Sequence, residues 1–377
     1  MRRLLLPIIE KDLSRKIVLL TGPRQCGKTT LAKMTDADHE YLNYDDVDQR
    51  LAIHKKKWDR SKSVLILDEI HKMPQWKRWL KGLYDTEGLH PPIVVTGSAK
   101  LDTYRKVGDS LAGRYFQFRV HPFDLKEILK EEPRRNAEKT LERLLEVGGF
   151  PEPFLVNEVG YYQRWQKTHL DIILKQDLVD LESMQNVVQI QTLIQLLKKR
   201  VGSPLSYTSL AEDLQCSDKT VKRWLMLLEN MYVVFKIVPY HKNIARALLK
   251  QPKYYFYDTG QVDGDAGVRL ENLTACALLK EIQFQTDALG RDLQLFYLRN
   301  KMKQEIDFLV TDGKQKHTMI EVKLGDENPS AAFSAFAKQF PNTVTQIQIV
   351  KNLAKEYSCP KGIVVKKASA WLTNIPL

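Results

Sequence analysis

Beside strands expected near His39–Asn43 and at Tyr115–Val120, short apolar runs bounded by charge recur through the first third of the chain, at Lys16–Leu20, Val64–Leu67 and Ile93–Thr96. Runs of this kind, β-branched and without strict alternation, are the pattern of strands covered on both faces. Thr29–Met34 has the pattern of a helix opening, and residues 1–14 have the spacing of a short amphipathic helix. Strands alternating with helices predict an α/β domain built on a parallel sheet.

The clearest break is Gly148-Gly149-Phe150-Pro151-Glu152-Pro153. Residues 158–200 then follow a helical pattern rich in Leu, Ile and Gln. Residues 204–240 read as helix, turn, helix and a strand-like Tyr232–Val238, and mixed α/β patterning returns from about 260. There is no internal repeat and no low-complexity tract.

Between the first apolar run and the first helix lies Gly22-Pro23-Arg24-Gln25-Cys26-Gly27-Lys28-Thr29, followed by Thr30. It matches G-x-x-x-x-G-K-[S/T] in full, and its strand-before, helix-after setting is the one the motif requires. Gly22 and Gly27 let the backbone curl until its amides face phosphate oxygens. Lys28 would reach the β- and γ-phosphates of ATP, Thr29 would offer its hydroxyl to Mg²⁺, and the helix adds its positive end. Val64-Leu65-Ile66-Leu67-Asp68-Glu69 supplies the second half. Asp68 would hold Mg²⁺ through its water shell and Glu69 would polarise the attacking water. Two solvated acids at a strand end are the simpler alternative, which the intact phosphate loop weakens.

At the end of Ile93–Thr96, Ser98, or else Thr96, is a candidate contact to the γ-phosphate or the water. A plain helix N-cap by Ser98 explains it equally well. Arg114, in Asp109-Ser110-Leu111-Ala112-Gly113-Arg114, stands where it could reach the γ-phosphate of a neighbouring subunit, with Arg105 a competitor and a surface arginine the alternative.

These blocks resemble a prokaryotic AAA-type P-loop ATPase family: the 19–30 stretch, Leu67–Trp76, Thr96–Ala99, Ser110–Arg114 and, further on, Gly148–Phe154. Phe123-Asp124 departs from the Leu-Ser common there. The resemblance implies an ATPase module over residues 15–130, names Arg114 as the arginine finger and implies a homo-oligomer.

In the middle of the chain, Leu210 and Leu214 suit a first helix, Ser217 an N-cap and Lys219–Asn230 a second helix with Val221, Leu225 and Leu228 inward. Lys219, Lys222 and Arg223 then share one face near that helix's start. A winged helix meeting DNA phosphates would present such a face; one used only for packing would carry it as a solvated surface. No base-reading set accompanies it, so DNA binding there would be weakly sequence-specific.

Gln304–Val310 and Met319–Leu324 read as two strands around an Asp312-Gly313 turn. With the hairpin centred near Lys314, Asp307 faces Glu321, an opposition that a sheet tolerates only with a counter-ion. A divalent metal would supply one, and Lys323 could orient a water beside it. Surface ion pairing on a hairpin is the alternative. The order of residues resembles the PD-(D/E)XK nuclease core of Holliday-junction-resolvase-like proteins. That resemblance implies a metal set of Glu271, Asp307 and Glu321 with Lys323 as the catalytic lysine.

The expected organisation is α/β throughout. An AAA+-type P-loop domain (1–147) leads to a helical lid (148–200), a winged helix-turn-helix (201–258) and a nuclease-like α/β domain (259–377). With 58 Lys and Arg against 46 Asp and Glu, the net charge is +12, which suits DNA but is equally met by a Lys-rich soluble protein. The four cysteines, Cys26, Cys216, Cys276 and Cys359, form no C-x-x-C pair, which points away from zinc and disulfides and toward a cytoplasmic protein. The apolar start is cut by Pro7 and followed by charge, unlike a signal peptide, and no run approaches the ~18 apolar residues of a membrane span. Three functions follow: an ATPase coupled to a Mg²⁺-dependent nuclease acting on DNA, with branched DNA a candidate substrate; an ATP-dependent DNA-binding regulator or mobile-element helper with an inactive nuclease fold; and a protein-remodelling ATPase, for which the sequence offers no aromatic pore-loop signature.

Overall fold

The computed structural model describes residues 1–97, 111–174, 184–241, 251–313, 316–325, 328–338, 340 and 344–377. The chain divides into two compact units, Met1–His121 with Asp287–Leu289, and Pro122–Thr286 with Gly290–Leu377.

The first unit holds β1 (Ile17–Thr21), β2 (His39–Asn43), β3 (Val64–Asp68), β4 (Ile93–Thr96) and β5 (Tyr115–Arg119). Among the described residues they form one sheet in the order β2-β3-β4-β1-β5, and every pairing is parallel. The three inner strands β1, β3 and β4 are buried along their whole length, which is why they read as unbroken apolar runs. One face is packed by Ile17, Leu19, Leu65, Leu67, Leu80 and Leu83, the last two from the Trp76–Glu87 helix. The register pairs Leu20 with Thr96 and Asp68 with Thr96. The carboxyl ends of the three inner strands therefore share one edge, where open parallel sheets bind ligands.

In the second unit β6 (Val234–Pro239), β7 (Lys253–Phe256), β8 (Leu293–Arg299), β9 (Glu305–Asp312), β10 (Lys316–Lys323), β11 (Val344–Val350), β12 (Tyr357–Ser358) and β13 (Ile363–Lys367) form a mixed sheet. Its order is β12-β13-β11-β10-β9-β8-β6-β7 among the described residues. Because β6 pairs with β8, this sheet runs across the border expected at 258/259. The Ala137–Val147 helix ends at Gly148 and the next begins at Pro151, the expected break. Tyr207–Asp213 and Asp218–Asn230 are the two helices expected around Ser217, whose side chain accepts from the Thr220 amide. Val221, Trp224, Leu225 and Leu228 are the buried stripe of the second. The stretch expected to be helical at 158–200 contains helices at Val159–Ile172 and Met184–Lys198. The long Ala266–Leu289 helix is capped by Asp265. Among the described residues no helix is long and apolar enough to cross a membrane.

Candidate functional site

At the carboxyl end of β1 the chain turns through Gly22 (φ 146), Gln25 (φ 59) and Gly27 (φ 93) before the Lys28–Lys33 helix. Positive φ at these positions turns the loop into a concave nest of amides. Gly22 has no substitute, since a Cβ there would lie 2.1 Å from the Val120 carbonyl oxygen. Lys28 is buried, and its Nζ donates to the Gly22 and Pro23 carbonyls at 3.1 and 2.6 Å, which holds the ammonium inside the loop. Cys26 is buried behind it, its Sγ donating to Val120 O at 3.4 Å. Buried Arg3 donates to the carbonyls of Cys26 (3.1 Å) and His121, bracing the loop from beneath. Thr30 is exposed on the helix that follows.

Asp68, at the end of β3, collects three side-chain donors and the Glu69 amide, which reaches its Oδ1 at 3.1 Å. Thr29 Oγ1 and Tyr41 Oη reach its Oδ2 at 2.9 Å each, and Thr96 Oγ1 donates to its Oδ1. Burial and the charge of Asp68 push the Tyr41 hydroxyl well above its ordinary pKa, so it remains a donor. Glu69 follows in a left-handed conformation (φ 56), with its amide on the Thr96 carbonyl at 3.0 Å. Its Oε2 lies 3.5 Å from Lys72 Nζ and 3.6 Å from His71 Nε2 and makes no hydrogen bond among the described residues. A left-handed glutamate beside a phosphate loop is a local cost of the sort found at working sites. The joined Thr29 hydroxyl and Asp68 carboxylate suit Mg²⁺, which takes few protein oxygens and completes its shell with water and substrate phosphates.

Ser98 and Arg105 lie outside the described residues; Thr96, the alternative to Ser98, is engaged with Asp68. Arg114 precedes β5, and its carbonyl accepts from the Ile17 amide at 3.0 Å, at the start of β1. It therefore stands at the sheet edge opposite the phosphate loop, about 16 Å away at strand rise. Its guanidinium forms a two-point pair with Asp85, Nε at 2.7 Å and Nη2 at 3.2 Å. Lys219, Lys222 and Arg223 are exposed on the first turns of the Asp218–Asn230 helix. Lys222 pairs with Asp218 at 3.2 Å and lies over the Tyr207 ring.

The C-terminal carboxylates converge as well. The β9–β10 register runs to Phe308 opposite Ile320, and beyond it the Asp307 Oδ2 accepts from the Val322 amide at 2.8 Å. The Asp307 amide lies 3.4 Å from Glu321 Oε2, and Lys323 Nζ pairs with Glu321 Oε1 at 2.8 Å. Glu271, on the Ala266–Leu289 helix, accepts from Tyr255 Oη at 2.8 Å. At the centre is a residue absent from the expected set. Lys253, 1% exposed, places Nζ 2.6 Å from Glu305, 3.3 Å from Glu271 and 3.8 Å from Asp307. Burial and the neighbouring Asp307 push Glu271 and Glu321 up to about 7, and burial raises Asp307. Lys253 goes up despite its burial, because three carboxylates favour its charge. As arranged, these carboxylates do not fit a metal: Lys253 takes the position between Glu271, Glu305 and Asp307, and Lys323 holds Glu321. Among the described residues no three His, Cys, Asp or Glu side chains are grouped to hold an ion.

Residues 14–129 match the family model described as AAA domain. This part of the chain is an AAA-type P-loop domain. Residues 138–263 and 266–370 match two families described as domains of unknown function, DUF8612 and DUF4143. An uncharacterized protein of Mycobacterium tuberculosis is 27% identical over 304 residues, covering 78% of this chain and 67% of its own. One from Methanocaldococcus jannaschii is 23% identical over 362 residues, covering 87% and 79%. The Thermotoga maritima RuvB Holliday junction branch migration motor aligns with 17% identity and a TM-score of 0.32, over 65% of this chain and 92% of that one. That last likeness is too distant to bear on function.

Within the AAA domain the motif residues were readable because they lie on two short segments. Tyr41 and Arg3 were missed. Tyr41 sits in an ordinary strand pattern, and Arg3 acts through backbone carbonyls, which leave no trace in sequence. Lys253 did leave one: a lysine opening the apolar run Lys253-Tyr254-Tyr255-Phe256.

Proposed function

We propose that the protein binds ATP with Mg²⁺, hydrolyses it, and uses the cycle to switch its hold on DNA. The observation that carries hydrolysis is the convergence of Lys28, Thr29, Asp68 and Glu69 on one edge of the sheet. The loop amides and Lys28 would bind the phosphates, and Thr29 with Asp68 would hold the ion. Mg²⁺, when bound, neutralises charge on the β- and γ-phosphate oxygens. Tyr41 and Thr96 keep Asp68 oriented, and Glu69, with one oxygen free of hydrogen bonds among the described residues, would orient the attacking water. Arg114 stands too far from its own phosphate loop to serve it, which supports a finger acting on a neighbouring subunit in a homo-oligomer once it leaves Asp85.

The DNA-binding half of the proposal rests on the helix pair at 207–230 followed by the β6–β7 hairpin, a winged-helix order. Lys219, Lys222 and Arg223 would meet phosphates, with the +12 charge in support. Coupling to a nuclease is the second reading, favoured by the meeting of Asp307 with Glu321. The buried Lys253 beside Asp307 weighs toward a DNA-binding switch that does not cut.

Anisotropy titrations of labelled linear and branched DNA, with ATP or ADP, test this reading. Affinity should differ between the two nucleotides in the wild type, lose that difference in Lys28→Ala, and fall with a shallower salt dependence when Lys219, Lys222 and Arg223 become alanine. DNA affinity indifferent to nucleotide and to all three substitutions would refute it. Cleavage that Glu321→Ala abolishes would establish the second reading instead.

A further inference from the structure

Four carboxylates, Glu271, Glu305, Asp307 and Glu321, crowd one end of the β9–β10 pair. Left uncompensated in a buried setting, such a group would protonate or drive the strands apart. Three basic side chains relieve it in different ways, Arg299 on the adjacent β8 by pairing with Glu305 at 2.7 Å. Lys323, about a third exposed, serves Glu321 from the rim. Lys253 is enclosed and serves three carboxylates from two elements: Glu271 on the long helix, and Glu305 and Asp307 on β9. A lysine carries the stem length and single charge to do this from β7, whose first residue is bonded into the sheet opposite Ile237 and bridged to Pro204. The enclosure extends to Gly202, where even a Cβ would fall 2.6 Å from Glu271 Oε1.

We propose that Lys253 is the built-in counter-ion of this cluster, standing where a nuclease-like site would carry a divalent metal, so that the site is assembled metal-free and ties the β6–β7 hairpin to the long helix and β9. The inference deepens the non-cutting reading above and is independent of ATP hydrolysis. It also explains how a sheet tolerates Asp307 against Glu321. A fixed ammonium meets the need for positive charge, and no ion must be recruited. A divalent ion entering the cluster would have to displace a buried, triply paired ammonium.

The test is a Mn²⁺ titration of the full chain without nucleotide, read by electron paramagnetic resonance of free Mn²⁺. Wild type and Glu321→Gln should titrate alike, with no site assignable to the cluster. Lys253→Met should gain one Mn²⁺ per chain, lost again in Lys253→Met with Glu321→Gln. Its thermal midpoint, lowered by the substitution, should rise by several degrees with Mn²⁺ while the wild type stays put. A wild-type Mn²⁺ site that Glu321→Gln removes would overturn the proposal even if Lys253→Met failed to fold. So would a folded Lys253→Met that gains no site. DNA cleavage by the wild type without such a site would contradict the non-cutting reading but leave the Mn²⁺ result standing, so the two failures are distinguishable.

Discussion

Asp68 accepts from Thr29, Tyr41 and Thr96 at once, and each donor narrows where its carboxylate can point. Preorganisation of this kind lets one acid orient an ion without reorganising during the reaction. Asp258 shows the opposite use of burial. Enclosed with Tyr162 Oη on its Oδ2 at 3.0 Å, it is pushed up to about 6 by burial. A carboxyl whose folded pKa is raised contributes stability that is complete below its unfolded value, about 4, and lost as pH rises through about 6. Asp258→Asn removes that dependence while keeping a side chain of the same shape. Denaturant midpoints across this window should therefore fall with pH in the wild type and stay flatter in the variant, a difference of about 1–3 kcal/mol. Parallel profiles would show that Asp258 is not the titrating group.

At the scale of elements, β1 and the loop it feeds depend on a close approach that no side chain permits. Gly22→Ala would press a Cβ against the Val120 carbonyl at a φ of 146. Binding of a fluorescent ATP analogue should weaken at least tenfold, since the loop must shift to relieve the clash; unchanged binding would mean that the loop adapts freely. The elements also mark what sequence could and could not reveal. The parallel sheet was legible because β1, β3 and β4 are covered on both faces and so carry no polar alternation. The approach of Asp307 to Glu321 was legible from the Gly313 turn, because a hairpin fixes register locally. The lysine opening the apolar run at 253–256 was visible, but its place among the carboxylates was not, because β7 reaches them through pairing with β6 and Pro204, which no local pattern encodes. Non-local pairing of β6 with β8 likewise carries the mixed sheet across residue 258, where the return of mixed α/β patterning suggested a border.

For the whole molecule, the position of Arg114 matters most. It lies at the edge of the sheet away from its own phosphate loop and is held by Asp85, so its use in hydrolysis requires a second copy. Specific ATPase rate should then rise with protein concentration in the wild type. In Arg114→Ala the rate should fall on the order of 10³-fold and lose that concentration dependence, with ATP affinity kept. A rate per chain that is constant on dilution would make the site self-sufficient.

All of this presumes that the phosphate loop and the Asp68–Glu69 pair turn ATP over. Steady-state phosphate release with Mg²⁺, set beside equilibrium ATP binding, tests that most directly in wild type, Lys28→Ala and Glu69→Gln. The account predicts turnover in the wild type, loss of both binding and turnover in Lys28→Ala, and retained binding without turnover in Glu69→Gln. Phosphate release that persists in both variants would contradict it.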